Sequence, residues 1–289
     1  MALAVGLGAS LAVLAPGTGV AADSSSYVAL GDSYTAGPVI PIQTGRPLGC
    51  LRSTSNYPSL IRRELRPRSF VDASCSGATT KDMTASQAVP GGSNPPQLSV
   101  LTRNTTLVSL GIGGNDIGFA KIITSCAERS TTKLFGSACR DEYSTDGHDQ
   151  LADRIDRTSE KVANVLDEIA RRAPKATVLV VGYPTILPDS GPGCYPIVPF
   201  SPGDVAYLRQ TEKRLNAMLA REAARAGARY VDTYTPSIGH DICKLPGTKW
   251  VEGLVPTAPA APVHPNARGM RNSADAALDV IGDSSRDAR

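Results

Sequence analysis

The feature that most constrains the fold is a short apolar run, 27–30, which is ended abruptly by Gly31, Asp32 and Ser33. Short apolar runs bounded by glycine and small polar residues are typical of buried strands, because those residues do not continue the strand. Similar runs follow along the chain, at 70–73, 107–110, 177–181 and 229–232. The chain is therefore expected to contain a sheet of five strands.

Helical patterns lie between these runs. The clearest one, 151–169, places its apolar residues on one face and is followed by Pro174, which ends a helix. Further helices are predicted at 57–65, 204–226 and 266–281. Residues 118–149 lack a clean period and contain two cysteines, so we interpret them as an insertion held by a disulfide. Repeated strand, helix and strand units predict an α/β sandwich with a mostly parallel sheet.

Composition and charge narrow the class of protein. The chain has 289 residues, of which 41% are apolar, as in an ordinary globular protein with a core. No shift in composition marks a second domain. The net charge is only +3, and the basic residues are scattered rather than clustered. Without a basic stripe or an aromatic platform, nucleic acid is not expected as a partner.

Residues 1–22 form an apolar segment that is interrupted by Pro16 and ends in Val20, Ala21 and Ala22. Small residues at that end are typical of a signal-peptidase site, and the segment is too interrupted for a membrane span. No Lys or Arg precedes the apolar run, which is a departure from the usual signal peptide. We expect a signal peptide over 1–22, one domain over 23–289 and secretion to the extracellular space. The alternative is a tail unrelated to export.

The cysteines favour the same oxidising compartment. Their number is even, no two have the C-x-x-C spacing of a zinc or redox site, and they lie at Cys50, Cys75, Cys126, Cys139, Cys194 and Cys243. Six cysteines allow about 15 pairings. Pairing of nearest neighbours is favoured, because each disulfide would then close one long loop. Free buried thiols are the alternative.

Small and polar residues follow the first three predicted strands. Ser33 follows the first strand, Gly77 the second and Asn115 the third. In a parallel sheet all three would lie at one edge, where ligands bind. A serine hydroxyl there could attack an ester carbonyl if a base takes its proton and donors stabilise the oxyanion. The backbone N–H groups of Ser33 and Gly77 and the Asn115 amide are the candidate donors.

Three histidines are the candidate bases. His148 lies in a polar run before the long helix, and His240 lies beside Asp241, so surface roles are favoured for both. His264 precedes Pro265 in a tight turn that enters the last predicted helix. A turn at that point would hold the imidazole at the end of the α/β pattern, and spacing alone leaves its role as base open.

Four short motifs resemble the signature blocks of the SGNH hydrolases, also called GDSL esterases and lipases. The blocks occur in the family's order, at 31–34 (GDSY), 76–79 (SGAT), 113–116 (GGND) and 264–266 (HPN). The chain is particularly similar to secreted actinobacterial members, whose three disulfides the six cysteines would match. The resemblance implies a flavodoxin-like three-layer α/β/α fold. It also implies Ser33 as nucleophile, Gly77 and Asn115 as oxyanion donors, and His264 as general base.

One position departs from the family pattern. The family usually carries aspartate three residues before the histidine, and Ala261 stands there instead. A neutral imidazole must keep its proton on Nδ1 to present a lone pair to the serine, so another acceptor is needed. We expect a backbone carbonyl, that of Ala261 or Pro262, and therefore a Ser-His dyad. A remote carboxylate, Asp241 or Glu252, is the alternative.

Other interpretations of the same residues are weaker. Asp32 and Asp116 could ligate a metal, but both suit turns, and neither a metal nor a cofactor is expected. The stretch 31–37 lacks the phosphate-binding G-x-x-x-x-G-K pattern, and the absence of G-x-S-x-G argues against an α/β-hydrolase. Trp250 and the segment 254–262 are candidates for lining an acyl pocket, with ordinary packing as the alternative.

The sequence therefore predicts a secreted serine esterase or lipase that cleaves acyl-lipid esters through an acyl-enzyme. Its expected partners are an ester or lipid substrate and, transiently, a lipid interface, and it is expected to be a monomer. A catalytically silent binding module on the same fold is the second hypothesis, because the aspartate is missing. The natural substrate, and the choice between lipase, phospholipase and carbohydrate esterase, depend on loop shape.

Overall fold

The computed structural model describes residues 25–131, 133 and 135–287, so the predicted signal peptide over 1–22 lies outside the described residues. Its centre is a parallel sheet of five strands. The strands are β1 (Ser26–Gly31), β2 (Ser69–Asp72), β3 (Leu107–Gly111), β4 (Thr177–Val181) and β5 (Arg229–Val231). Their order across the sheet is β5-β4-β3-β1-β2, which is the flavodoxin-like order. The five predicted strands and their parallel arrangement are confirmed.

Seven helices surround or extend this sheet in the described part of the chain. They are α1 (Ser33–Ala36), α2 (Tyr57–Leu65), α3 (Phe119–Ser130), α4 (Ala138–Tyr143), α5 (Gln150–Arg172), α6 (Pro202–Arg225) and α7 (Ala267–Asp287). The last helix continues beyond the predicted end at 281, because Gly282 does not interrupt it. No helix among the described residues combines the length and apolarity that crossing a membrane would require.

Short elements fill the connections. Two-stranded ribbons pair Gln43–Thr44 with Arg52–Ser53, Gln87–Val89 with Gly92–Asn94, and Ser144–Thr145 with His148–Asp149. Single 3-10 turns occur at Leu48–Cys50, Thr80–Met83, Gln97–Val100 and Thr235–Ser237.

Alternate side chains of β1 enter two different cores. Val28 and Leu30 belong to the core that includes the apolar faces of α5 and α6. Tyr27 and Ala29 point to the other side, where the core includes residues of α2 and α7. A parallel strand covered on both faces reads as a continuous apolar run, as this one does. The predicted three-layer α/β/α sandwich is therefore confirmed.

The insertion at 118–149 folds into two helices. A disulfide joins Cys126 on α3 to Cys139 on α4. Asp204 of α6 reaches the start of α4, where its carboxylate accepts the backbone N–H groups of Cys139 and Arg140 at 3.0 Å each. The insertion is thus fixed against α6, which places an apolar face of α3 beside the sheet edge. The other two disulfides, Cys50–Cys75 and Cys194–Cys243, complete the nearest-neighbour pairing.

Candidate active site

The turn after β1 presents Ser33 at the sheet edge. Gly31 ends the strand, and a Cβ atom there would lie 2.6 Å from the Gly111 carbonyl oxygen, so only glycine fits. Asp32 then caps the short helix α1, because its carboxylate accepts the Tyr34 N–H at 2.8 Å. Ser33 is the first residue of that helix and is buried. The local sequence therefore fixes the hydroxyl where the strand stops.

His264 meets Ser33 across 231 residues of sequence. The distance from Ser33 Oγ to His264 Nε2 is 2.8 Å, and that from His264 Nδ1 to the Pro262 carbonyl oxygen is 2.7 Å. A carbonyl oxygen only accepts, so Nδ1 carries the proton in this pair and Nε2 presents its lone pair to the serine hydroxyl. Burial lowers the pKa of His264, while the bond to Pro262 acts in the opposite direction.

The loop that carries His264 is held by backbone hydrogen bonds. The His264 carbonyl accepts the Glu252 N–H at 2.9 Å, and the Tyr34 hydroxyl donates to the Val263 carbonyl at 2.6 Å. Val263 has a φ of 60°, an uncommon conformation for a β-branched residue. Tyr34 therefore links the helix of Ser33 to the loop of His264.

The sequence suggested two backbone carbonyls, those of Ala261 and Pro262, as acceptors for His264 Nδ1. The Pro262 carbonyl is the one that lies within hydrogen-bond distance. The Ala261 carbonyl instead accepts the backbone N–H of His264 at 3.2 Å, so of the two alternatives the geometry favours Pro262. The remote carboxylates have other partners. Asp241 accepts the Cys243 N–H at 2.9 Å, and Glu252 forms a 3.1 Å ion pair with Lys249.

Gly77 and Asn115 line the same cavity as Ser33 and His264. Gly77 has a φ of 80°, which favours glycine, and its turn is bonded to that of Asn115 because the Asn115 amide donates to the Ala78 carbonyl at 2.9 Å. One hydrogen of the Asn115 amide group makes this bond, and the second is available to a ligand. The four predicted site residues are thus brought together.

The remaining histidines lie elsewhere. His148 forms a 2.6 Å pair with Asp153. His240 stacks on Trp250 with a 3.7 Å separation of ring centroids, and its Nδ1 lies 2.6 Å from the Thr248 carbonyl oxygen. Trp250, a candidate for the acyl pocket, is absent from the cavity lining in the described chain.

Tyr183 is a site residue that sequence reasoning missed. Its hydroxyl donates to Asp32 Oδ2 at 2.6 Å and accepts the Gly114 N–H at 2.8 Å. It therefore connects the turn of Ser33 to the turn of Asn115. Burial raises the pKa of Asp32 to about 7, against the opposing effect of the bond from Tyr183. Tyr183 follows β4 just as Ser33 follows β1, and that position was a usable signal.

An apolar cavity of about 290 Å³ opens beside the serine. Its walls come mainly from α3, α6 and the loop after β4, namely Phe119, Ile122, Ile123, Ile186, Leu187, Leu208 and Leu215. Of the segment 254–262, which the sequence suggested, only Ala261 lines it among the described residues. The part of the walls that α3 contributes was missed because residues 118–149 show no clean helical period.

The two aspartates considered as metal ligands are engaged in turns. Asp116 accepts the Thr80 backbone N–H at 2.9 Å and the Thr80 hydroxyl at 2.6 Å. Asp32 accepts the bonds from Tyr34 and Tyr183 described above. Over the described ranges, no three His, Cys, Asp or Glu side chains are grouped as metal ligands would be.

The chain is similar to known lipases along most of its length. Residues 29–271 match the model of the GDSL-like lipase/acylhydrolase family. Lipase 2 of Streptomyces coelicolor is 41% identical over 284 residues, which cover 97% of this chain and 93% of that protein.

Solved structures agree with this match. The crystal structure of phospholipase A1 from Streptomyces albidoflavus has a TM-score of 0.70 at 28% identity, covering 88% of this chain and 98% of that one. The extracellular lipase of Streptomyces rimosus has a TM-score of 0.68 at 30% identity, covering 88% and 99%. The chain belongs to the GDSL-like lipase/acylhydrolase family and is a carboxylic ester hydrolase.

Proposed function

We propose that this enzyme cleaves acyl-lipid esters through an acyl-enzyme on Ser33, with His264 as general base. The observation that carries the proposal is the continuous hydrogen-bond chain from Ser33 Oγ through the imidazole to the Pro262 carbonyl, with links of 2.8 and 2.7 Å. This chain supplies the tautomer and the orientation that proton removal from a serine requires.

In the first step, Ser33 Oγ attacks the ester carbonyl carbon while its proton moves to His264 Nε2. The backbone N–H groups of Ser33 and Gly77 and the Asn115 amide donate to the resulting oxyanion. Collapse of this intermediate breaks the C–O bond, and the imidazolium returns the proton to the departing alcohol. Water then attacks the acyl-enzyme by the same route and releases the carboxylic acid.

The Pro262 carbonyl performs part of the work of a third catalytic residue. It fixes the proton on Nδ1 of His264, as a carboxylate would. Because it is neutral, it stabilises the imidazolium less than a carboxylate would. Neither a metal nor a cofactor enters these steps.

The apolar cavity supports acyl chains as the part of the substrate that enters beside Ser33, because its walls are largely aliphatic and aromatic. The similar proteins named lipase and phospholipase A1 favour lipid esters over carbohydrate esters. We also propose secretion, on the basis of the predicted signal peptide over 1–22 and the three disulfides.

Replacing Ser33 with alanine tests the proposal. Ser33→Ala is expected to lower kcat for a p-nitrophenyl ester by about 10⁴-fold or more and to leave thermal unfolding nearly unchanged. Ser273→Ala is the matched control, because Ser273 is also buried, lies on α7 and bonds only the Gly269 carbonyl among the described contacts. Retained turnover in Ser33→Ala would refute the proposal.

The alternative, a silent binding module, is supported by the alanine at position 261. Such a module would not react with a fluorophosphonate, whereas an activated serine would.

A further inference from the structure

Two loops beside the cavity expose apolar side chains to solvent. These loops, 38–51 and 253–263, are called here the apolar collar. The exposed side chains are Val39, Ile42, Leu48, Leu51 and Val255, with exposed fractions that range from 39% for Leu51 to 81% for Val255. Single exposed apolar residues are ordinary, but several around one opening indicate an interaction surface.

The two loops form one surface. The Ala261 N–H donates to the Pro38 carbonyl at 3.1 Å, and Pro41 and Pro259 line a common cleft. Pro38, Leu51 and Ala261 also line the cavity that contains Ser33. The apolar collar is therefore continuous with the mouth of the active site.

Charge is nearly absent from this surface. Arg46 is the one Lys, Arg, Asp or Glu in the two loops, and no acidic residue occurs between Asp32 and Glu64. The neighbouring ribbon at 87–94, which packs against Gly49, has no charged residue either. Because it carries little charge, this surface has a small free-energy cost of desolvation. Because it has no acidic residue, it would not repel an anionic surface.

The apolar collar is also held in a fixed shape. The disulfide between Cys50 and Cys75 anchors its first loop, and the Arg52 guanidinium donates to the Arg46 carbonyl at 2.8 Å. Exposed apolar side chains on a fixed backbone lose less conformational entropy on binding than side chains on a loop that must first become ordered.

We propose that the apolar collar docks the enzyme on a lipid surface, so that an ester enters the cavity directly from the lipid. The inference rests on the proposed function, because it assigns the source of the substrate for Ser33. The continuity with the cavity and the lack of charge select a lipid surface as the occupant. A second copy of this chain on the same face is the competing outcome.

Cosedimentation with vesicles tests the proposal. The vesicles consist of ether-linked phosphatidylcholine and phosphatidylglycerol, which contain no carboxylic ester for the enzyme to cleave. The wild type is expected to bind, and the double variant Ile42→Ser with Leu48→Ser is expected to bind about tenfold or more weakly. Turnover of dissolved p-nitrophenyl acetate by the variant should stay within about twofold of wild type, because neither residue lines the cavity in the described chain.

Ile197→Ser is the matched control, because Ile197 is 79% exposed, compared with 71% for Ile42, and lies outside both loops. It is expected to bind vesicles like wild type. Equal loss of binding in this control, complete loss in molar salt, or a wild-type dimer that the double variant dissociates would each overturn the proposal. Ester hydrolysis without vesicle binding would refute only the docking surface, whereas vesicle binding without hydrolysis would refute the proposed function.

Discussion

The lining of the cavity includes two buried carboxyl groups, Asp32 and Glu212, which differ in their partners. Beside Ser33, the Asp32 carboxylate accepts hydrogen bonds from the Tyr34 N–H at 2.8 Å and from the Tyr183 hydroxyl at 2.6 Å. On the wall formed by α6, Glu212 shares one described donor, the Ile186 N–H, between its two oxygens at 3.2 and 3.3 Å. Burial raises the pKa of Asp32 to about 7 and that of Glu212 well above its ordinary value.

This difference shows that two parts of the cavity lining are stabilised in different ways. Hydrogen bonds around Asp32 offset part of the cost of burying its charge and fix the turns that carry the reacting groups. Glu212 lacks comparable support, so burial shifts its equilibrium towards the neutral form. Hydrogen bonds organise the part of the cavity around Asp32, and side-chain packing organises the wall formed by α6.

Breaking the hydrogen-bond network around Asp32 should have the largest effect on activity. Tyr183→Phe removes the hydroxyl that joins Asp32 to Gly114 and leaves a buried N–H without its acceptor. We expect kcat to fall about 10- to 100-fold with little change in KM, and stability to fall by about 1–3 kcal/mol.

Tyr207→Phe is the matched control, because Tyr207 also donates to the aspartate that caps a helix, Asp149, at 2.8 Å. Ester kinetics and denaturant unfolding of both variants measure the difference. Equal kcat values in the two variants would show that Tyr183 has no positioning role.

Glu212→Gln tests the poorly compensated carboxyl. Its folded-state pKa is raised, so the folded protein keeps a proton that the unfolded chain releases above its ordinary value of 4.5. Wild-type stability should therefore fall as pH rises above that value, by up to about 1.4 kcal/mol per pH unit until the folded pKa is reached. Glu212→Gln should remove this part of the slope.

Denaturant unfolding between pH 5 and pH 8 measures the change, with Asp32→Asn as the comparison. The corresponding slope from Asp32 should end near its folded pKa of about 7. A wild-type slope that Glu212→Gln leaves unaltered would contradict a raised folded-state pKa for Glu212.

A smaller effect on activity is expected when a charge is added beside His264. The proposed mechanism requires neutral His264, whose pKa is lowered by burial, so activity should rise with pH and reach half its maximum below 6.5. Ala261→Asp would place a carboxylate near the imidazole and raise that midpoint by about one pH unit. Ala261→Asn, which adds a similar side chain without charge, should leave it in place. A kcat/KM profile that does not distinguish the two variants would show that position 261 has no electrostatic access to His264.

The elements that carry local signals were predictable from the sequence. The apolar runs indicated all five strands, and their ends indicated where Ser33, Gly77 and Asn115 would lie, because strand termination depends on adjacent residues. His264 needed the family resemblance, since spacing alone left its role open. The choice between Ala261 and Pro262 depended on backbone torsions at Val263 that no sequence pattern specifies.

The missing parts depend on contacts that are distant in sequence. Tyr183 becomes important only because it lies between two turns, and α3 lines the cavity only because Asp204 and a disulfide hold the insertion against α6. The sequence of 118–149 had no clean period, so neither its helices nor its apolar wall could be assigned. The sequence therefore indicated the sheet edge that carries Ser33 better than it indicated the apolar wall of the cavity.

The most direct test of the Ser33 and His264 dyad is labelling with a fluorophosphonate, followed by intact mass measurement and peptide mapping. We expect one adduct, on Ser33, which forms rapidly in the wild type, is absent in Ser33→Ala and forms far more slowly in His264→Ala. No adduct in the wild type, an adduct on another residue, or an equal labelling rate in His264→Ala would contradict the account.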